Sequence, residues 1–201
     1  SVNRSLLDAV LGGGQFPIAR CGLLPGSSLE RAISDVLGGV ALLEMIGNTR
    51  ESDTPDAQAL SGKITGAISQ LVSSQRDDGS WSWNGDPKKG QPDVYMTSRA
   101  MWALSKARQA GFAVPGELLN RGTAYLKTAF SKSRSTELEV QTVILQSLAT
   151  ADAADFALAN RLYRERNRLK QSGLLHLAIA LNDMNHRDMA VDVLDLVKLP
   201  I

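Results

Sequence analysis

Few residue types in this chain are placed to do chemistry. It holds one cysteine, Cys21, and two histidines, His176 and His186. Zinc catalysis needs several such ligands converging on one point. No two of these three sit at ligand spacing on one helix face, so we expect no metal site. Asp77 and Asp78 could act as an acid/base pair. Their place beside Gly79 suits a turn instead, where an aspartate oxygen accepts from nearby backbone N–H groups. Acyl-transfer signatures are missing: there is no Gly-x-Ser-x-Gly elbow and no Ser-x-x-Lys pair before a plausible base. Gly12-Gly13-Gly14 has neither the Lys-Ser/Thr of a phosphate loop after it nor a strand before it. Arg161, Arg164, Arg166, Arg168 and Lys170 are interrupted by Glu165 and spread around a helix, which reads as a solvated face. We expect no enzyme and no cofactor.

Bulk properties narrow the class further. The chain has 201 residues, 43% of them hydrophobic and only 5% aromatic, with a net charge of +1. That length suits one domain over 1–201 with an aliphatic core. The balanced charge does not suggest nucleic acid. There is no apolar run of about 18 residues, so no membrane insertion is expected. A lone cysteine forms no internal disulfide. The chain opens Ser1-Val2-Asn3-Arg4 without an initiator Met. We expect it to be part of a longer protein, with any targeting signal elsewhere.

The elements that would position any site are helices. Residues 1–26 read as an irregular N-terminal segment, with a short helix over Ser5–Leu11 and Pro/Gly punctuation after it. Ser27-x-x-Glu30 is a capping box opening a helix to about Ile46, with Gly47-Asn48 as its stop. Thr54 and Pro55 start the next helix, and Ala57, Leu60, Ile64, Ile68 and Leu71 give it one apolar face. Further helices are expected over Val94–Ala110 with Gly111 as stop, from Pro115, from the Thr136-x-x-Glu139 capping box, from an Asp152 cap, from a Ser172 cap, and over Arg187–Val197. No convincing strand is present. Short connections favour antiparallel hairpins, each needing its neighbours to cover it.

Between two of these helices lies SQRDDGSWSWNGDPKKGQPDVYMTS, residues 74–98, with two of the three tryptophans. Two rings bring a large apolar area that must be covered. A latch pinning one hairpin to the next accounts for the tryptophans and turn formers together, and aromatics are core more often than site. Its expected members are Gln75, Asp78, Gly79, Trp81, Trp83 and Tyr95.

Gln75-Arg76-Asp77-Asp78-Gly79-Ser80-Trp81 has the Gln-x-x-Asp-Gly-x-Trp form of α/α-toroid proteins. Three groups carry it: terpenoid cyclases, protein prenyltransferases and the thioester-containing domain of the alpha-2-macroglobulin and complement family. The flanks favour the third. Asp93-Val94-Tyr95-Met96-Thr97-Ser98 resembles the bacterial alpha-2-macroglobulin pattern. So do Ala107 to Pro115, Leu118-Leu119-Asn120-Arg121, Leu158 to Tyr163, and Arg187-Asp188-Met189-Ala190. The cyclase Asp-x-Asp-Asp acid and the prenyltransferase zinc ligands have no counterpart.

This resemblance implies an all-α fold, an α/α toroid of antiparallel hairpins, closed or partial. It implies a periplasmic or extracytoplasmic setting, with other domains of the same larger chain, and proteases, as partners. In the family, Cys-x-Glu-Gln supplies the thioester. Here the only candidate, Cys21-Gly22-Leu23-Leu24, has leucines where Glu and Gln belong, so Cys21 marks a degenerate position and no bond is expected. Cys21 is either a vestige or a buried small apolar residue. The steering histidine of complement-type members falls on Met96, which is neither base nor nucleophile. An isoprenoid-processing toroid and a helical-repeat scaffold for protein–protein interaction are the rival readings.

Overall fold

The computed structural model describes residues 27–47, 55–134 and 136–197. Cys21, the 1–26 segment, Thr54 and Asn48 lie outside them. Among these described residues eight α-helices follow in order: α1 Ser27–Gly47, α2 Pro55–Ser73, α3 Val94–Gln109, α4 Gly116–Lys132, α5 Leu138–Thr150, α6 Phe156–Arg164, α7 Gln171–Asp183 and α8 Arg187–Leu194. The expectation of an all-α chain holds. One small feature was not foreseen: β1 (Trp81–Ser82) and β2 (Pro92–Asp93) pair antiparallel, with Trp81 opposite Asp93 and Ser82 opposite Pro92.

The helices form two rows. The odd-numbered helices pack on one another in sequence, α1 on α3, α3 on α5 and α5 on α7. Each even-numbered helix lies outside this row, with α2 on α1, α4 on α3 and α5, α6 on α5 and α7, and α8 on α7. This is the inner-and-outer arrangement of an α/α toroid. No packed interface joins the first hairpin to the last among the described residues, so these residues trace an arc.

Sequence patterning explains the rows. α2 buries Ala57, Leu60, Ile64, Ala67, Ile68 and Leu71, three or four residues apart, and so shows one apolar stripe. α5 lies between α3, α7 and two outer helices, and buries residues all round, including Gln141, Thr142, Gln146, Ser147 and Thr150. Buried polar side chains need partners: Gln141 donates to the Ser133 hydroxyl and the Arg134 carbonyl, Thr142 to the Glu139 carbonyl of its own helix, and Ser147 and Thr150 reach across the inner row. The Ser147 hydroxyl donates to the Ser98 carbonyl at 2.8 Å. Gln109 Nε2 donates to the Thr150 carbonyl at 2.9 Å. The Thr150 hydroxyl donates to Asp183 Oδ2 at 2.6 Å, and Lys106 Nζ stands 3.7 Å from Asp183 Oδ1.

Several expected helix ends are corrected. α6 is capped by Asp155, whose side chain accepts from Ala157 N–H, while Asp152 takes φ +55° in the turn leaving α5. α7 begins at Gln171, so Ser172 lies inside it. The Thr136-x-x-Glu139 box does not close. α5 starts after Glu137 without a side-chain cap, and Glu139 accepts instead from Lys170 N–H at 2.6 Å and from the Ser172 hydroxyl at 3.3 Å. A carboxylate can serve the positive start of any helix within reach, and here the neighbour's start wins. Glu30 on α1 pairs with Arg99 on α3 at 3.1 Å. α8 stops at Leu194, short of Val197. Gly111 closes α3 as expected, with φ +90°.

Candidate functional site

The segment between α2 and α3 is held by a dense set of hydrogen bonds. Gln75 follows α2 and is only 8% exposed. Its Nε2 donates to the Gly79 carbonyl at 3.1 Å and to the Leu118 carbonyl on α4 at 2.9 Å. Its Oε1 accepts from Arg121 Nη2 on α4 at 2.7 Å. One amide therefore joins the end of α2, the turn and α4. The turn itself is closed by Gly79 N–H to the Arg76 carbonyl at 3.0 Å and Arg76 N–H to the Ser80 carbonyl at 2.9 Å. Gly79 takes φ +83°, and a Cβ there would stand 2.4 Å from the Arg121 carbonyl oxygen. Only glycine fits both demands.

Asp78 stiffens the turn as an acceptor. Its Oδ1 takes the Ser80 hydroxyl at 2.6 Å and the Ser80 N–H at 3.0 Å, with Arg76 Nε at 3.6 Å. Burial alone would raise its pKa. The Ser80 hydrogen bonds and the Arg76 charge outweigh that and hold it below the ordinary carboxylate value. This carboxyl is ionised and occupied, a poor general acid.

Trp81 is 0% exposed. Its Nε1 donates to the Leu71 carbonyl on α2 at 2.8 Å. Its backbone N–H donates to Thr97 Oγ1 at 2.9 Å, and that hydroxyl donates on to the Asp93 carbonyl at 2.6 Å. Asp93 caps α3 by accepting from Met96 N–H at 2.7 Å. The two remaining aromatic members behave otherwise. Trp83 is 56% exposed and Tyr95 45% exposed, so the expectation that Trp83 is covered does not hold within this chain. Three participants escaped sequence reading: Arg121, Thr97 and Arg76, which reaches the Pro87 and Gly90 carbonyls. Thr97 sits one turn after the Asp93 cap, a spacing that could have pointed to it. Nothing local marks Arg121, because its partner lies 46 residues away.

A cavity of about 410 Å³ opens at the starts of α3, α5 and α7. Val94, Tyr95, Val140 and Val143 make its apolar wall, and Glu139 and His176 its polar part. The His176 Nδ1 meets Gln146 Oε1 on α5. Burial lowers the His176 pKa, Glu139 opposes that, and Arg99 adds to it. His186 lies against Phe156, its ring centroid 4.1 Å away. No group of three or more His, Cys, Asp or Glu among the described residues could hold a metal ion. No described helix is long and apolar enough to cross a membrane. The basic run is tied down locally: Arg161 bonds Gln141 Oε1 at 3.0 Å, Arg166 lies 4.2 Å over the Tyr163 ring, and Arg168 pairs with Glu165 at 2.6 Å.

No protein-family model and no curated protein matches the sequence. Solved structures do match. The native conformation of Escherichia coli alpha-2-macroglobulin superposes with a TM-score of 0.68 at 20% identity, over 96% of this chain and 12% of that one. Salmonella alpha-2-macroglobulin reacted with methylamine gives 0.67 at 22% identity, over 96% and 13%. The E. coli structure from domain MG7 to the C-terminus gives 0.64 at 22%, over 84% and 28%. The chain therefore spans only about an eighth to a quarter of the proteins it matches. The resemblance carried by Gln75 to Trp81 and its flanks is borne out in three dimensions: this chain has the fold of a helical portion of the bacterial alpha-2-macroglobulins.

Proposed function

We propose that the chain is a non-catalytic module of a larger alpha-2-macroglobulin-type protein, a thioester-domain-like unit that has lost its thioester. The observation that carries this is Cys21-Gly22-Leu23-Leu24. With leucine where the glutamine belongs, no side-chain carbonyl is present for the Cys21 thiol to join. The shared fold supports the wider assignment. The last hairpin supports a place among other domains, since Leu175, Val191, Leu194 and Leu196 are exposed on α7, α8 and just beyond. End units of helical stacks stay soluble with polar outer faces, and an apolar one suits cover by further protein. An extracytoplasmic setting and a role in restraining proteases belong to the same proposal.

Treatment with methylamine and titration of the Cys21 thiol test it. A thiol titratable before any amine is added, with no amine incorporated, is expected. Amine incorporation with a thiol released only afterwards would overturn the reading. For the trap, the full-length polypeptide is mixed with endopeptidases, and cleavage of a large protein is compared with that of a small peptide. Loss of the first with the second intact is expected. No change in either favours a helical scaffold unconnected with proteases.

A further inference from the structure

The loop from Ser82 to Gly90 holds Trp83 in solvent and spends many hydrogen bonds doing so. The Ser82 hydroxyl is shared between Asn84 Oδ1 at 2.8 Å and the Asp86 carbonyl at 3.0 Å. Asn84 Oδ1 also accepts from Asp86 N–H at 3.1 Å. Asp86 Oδ1 accepts from Lys88 N–H at 2.8 Å and Lys89 N–H at 3.0 Å. Gly85 N–H reaches the Ser82 carbonyl at 3.1 Å, and Gly90 N–H the Asp86 carbonyl at 3.2 Å. Arg76 reaches in from the turn to the Pro87 and Gly90 carbonyls. The pairing of β1 with β2 fixes both ends. None of these bonds uses the Trp83 indole, and none buries it.

Charge on the loop is net positive, two lysines against one aspartate. Lys88 and Lys89 are exposed, and neither joins an ion pair among the described residues. Asp86, the loop's one carboxylate beyond the turn, is turned onto the Lys89 and Lys88 N–H groups, which hold its pKa down together with the charges of the same two lysines. What the loop presents outward is an exposed indole and two exposed ammonium groups set against one carboxylate. Tryptophan is enriched among the few residues that carry most of an interface's binding energy. A segment already rigid loses little freedom on docking.

We infer that the Ser82–Gly90 loop is a docking knob, in which Trp83 enters an apolar socket rimmed by Asp or Glu on a neighbouring domain of the same larger polypeptide, with Lys88 and Lys89 on the rim. This rests on the proposed place of the chain in a larger protein and names the surface that holds it there. The socket's chemistry follows from complementarity: an indole needs an apolar cavity, and a loop with two lysines against one aspartate favours carboxylates on the rim.

Hydroxyl-radical oxidation of the full-length polypeptide, read at Trp83 by peptide mass spectrometry, tests it. A knob docked nine-tenths of the time lowers Trp83 oxidation by about tenfold. The Lys88→Glu/Lys89→Glu variant is expected to restore rapid oxidation, because like charges then face each other. In Trp83→Ala, acetylation of Lys88 and Lys89 is expected to rise. Circular dichroism checks that each variant is folded. Trp83 oxidised in the unaltered protein as fast as a free tryptophan peptide would overturn the inference. So would equal protection in the double lysine variant, since the socket would not then be acidic. These readings are independent of Cys21: a thioester found there sinks the loss-of-bond reading and leaves the knob standing.

Discussion

Gln75 Oε1 accepts from Arg121 Nη2 at 2.7 Å, while Nε2 of the same amide donates to the Leu118 carbonyl at 2.9 Å. One buried side chain thus grips α4 at two points a helical turn apart. Replacing Gln75 with Ala leaves the Leu118 carbonyl and Arg121 without these partners. A buried group left unpaired costs about 1–3 kcal/mol, and urea unfolding is expected to shift by that order with an unchanged slope. Gln75→Glu keeps the acceptor and loses the donor, so it should recover only part of the loss.

The two tryptophans of the loop should separate cleanly. Trp81→Ala empties a fully buried site and removes the bond to the Leu71 carbonyl. Large-to-small changes of this kind cost about 3–5 kcal/mol. Trp83→Ala is expected to stay within roughly 0.5 kcal/mol in the 201-residue chain. Acrylamide should quench the emission lost in Trp83→Phe far more strongly than that lost in Trp81→Phe.

Gly79 and Gly111 form a matched pair. Both take positive φ, but nothing lies near a Cβ added at Gly111, whereas one at Gly79 meets the Arg121 carbonyl. Gly111→Ala is expected to cost about 1–2 kcal/mol from backbone conformation alone. Gly79→Ala adds overpacking, typically about 1–3 kcal/mol more. Equal thermal midpoints for the two variants would refute the close approach.

His176 predicts a pH dependence. Its folded pKa is lowered, chiefly by burial, so the folded state binds fewer protons than the unfolded one. The stability it contributes is fully present above the unfolded value of about 6.5 and is lost as pH falls through the lower folded value. Melting followed between neutral and mildly acidic pH should show this decline. His176→Gln should flatten it.

Much of this was legible in the sequence. The apolar stripe of α2, the Gly111 stop and the turn at Gly79 follow from local rules that residue type and spacing obey. The same holds for Trp81, a large apolar side chain beside a turn. What escaped was long-range choice. Glu139 has the spacing of a capping box yet serves Lys170, 31 residues on, because another helix start came within reach. Arg121 looks like any surface arginine until α4 is laid against the turn. Trp83 reads like its neighbour two residues earlier, and only the fold tells which of the two faces the core.

The ties within the inner row bear on how this body moves. Ser147 to Ser98, Gln109 to Thr150, and Asp183 to both Thr150 and Lys106 fix the axial register of α3, α5 and α7. Shear transitions slide packed helices by about 1–2 Å, and such a slide here would break the buried Ser147–Ser98 bond and the part-buried ties beside it. The inner row therefore resists gliding. A displacement applied at one edge is passed on as rotation of the whole body, as a lever passes it, and any change of shape in a larger assembly falls to the joints around the domain.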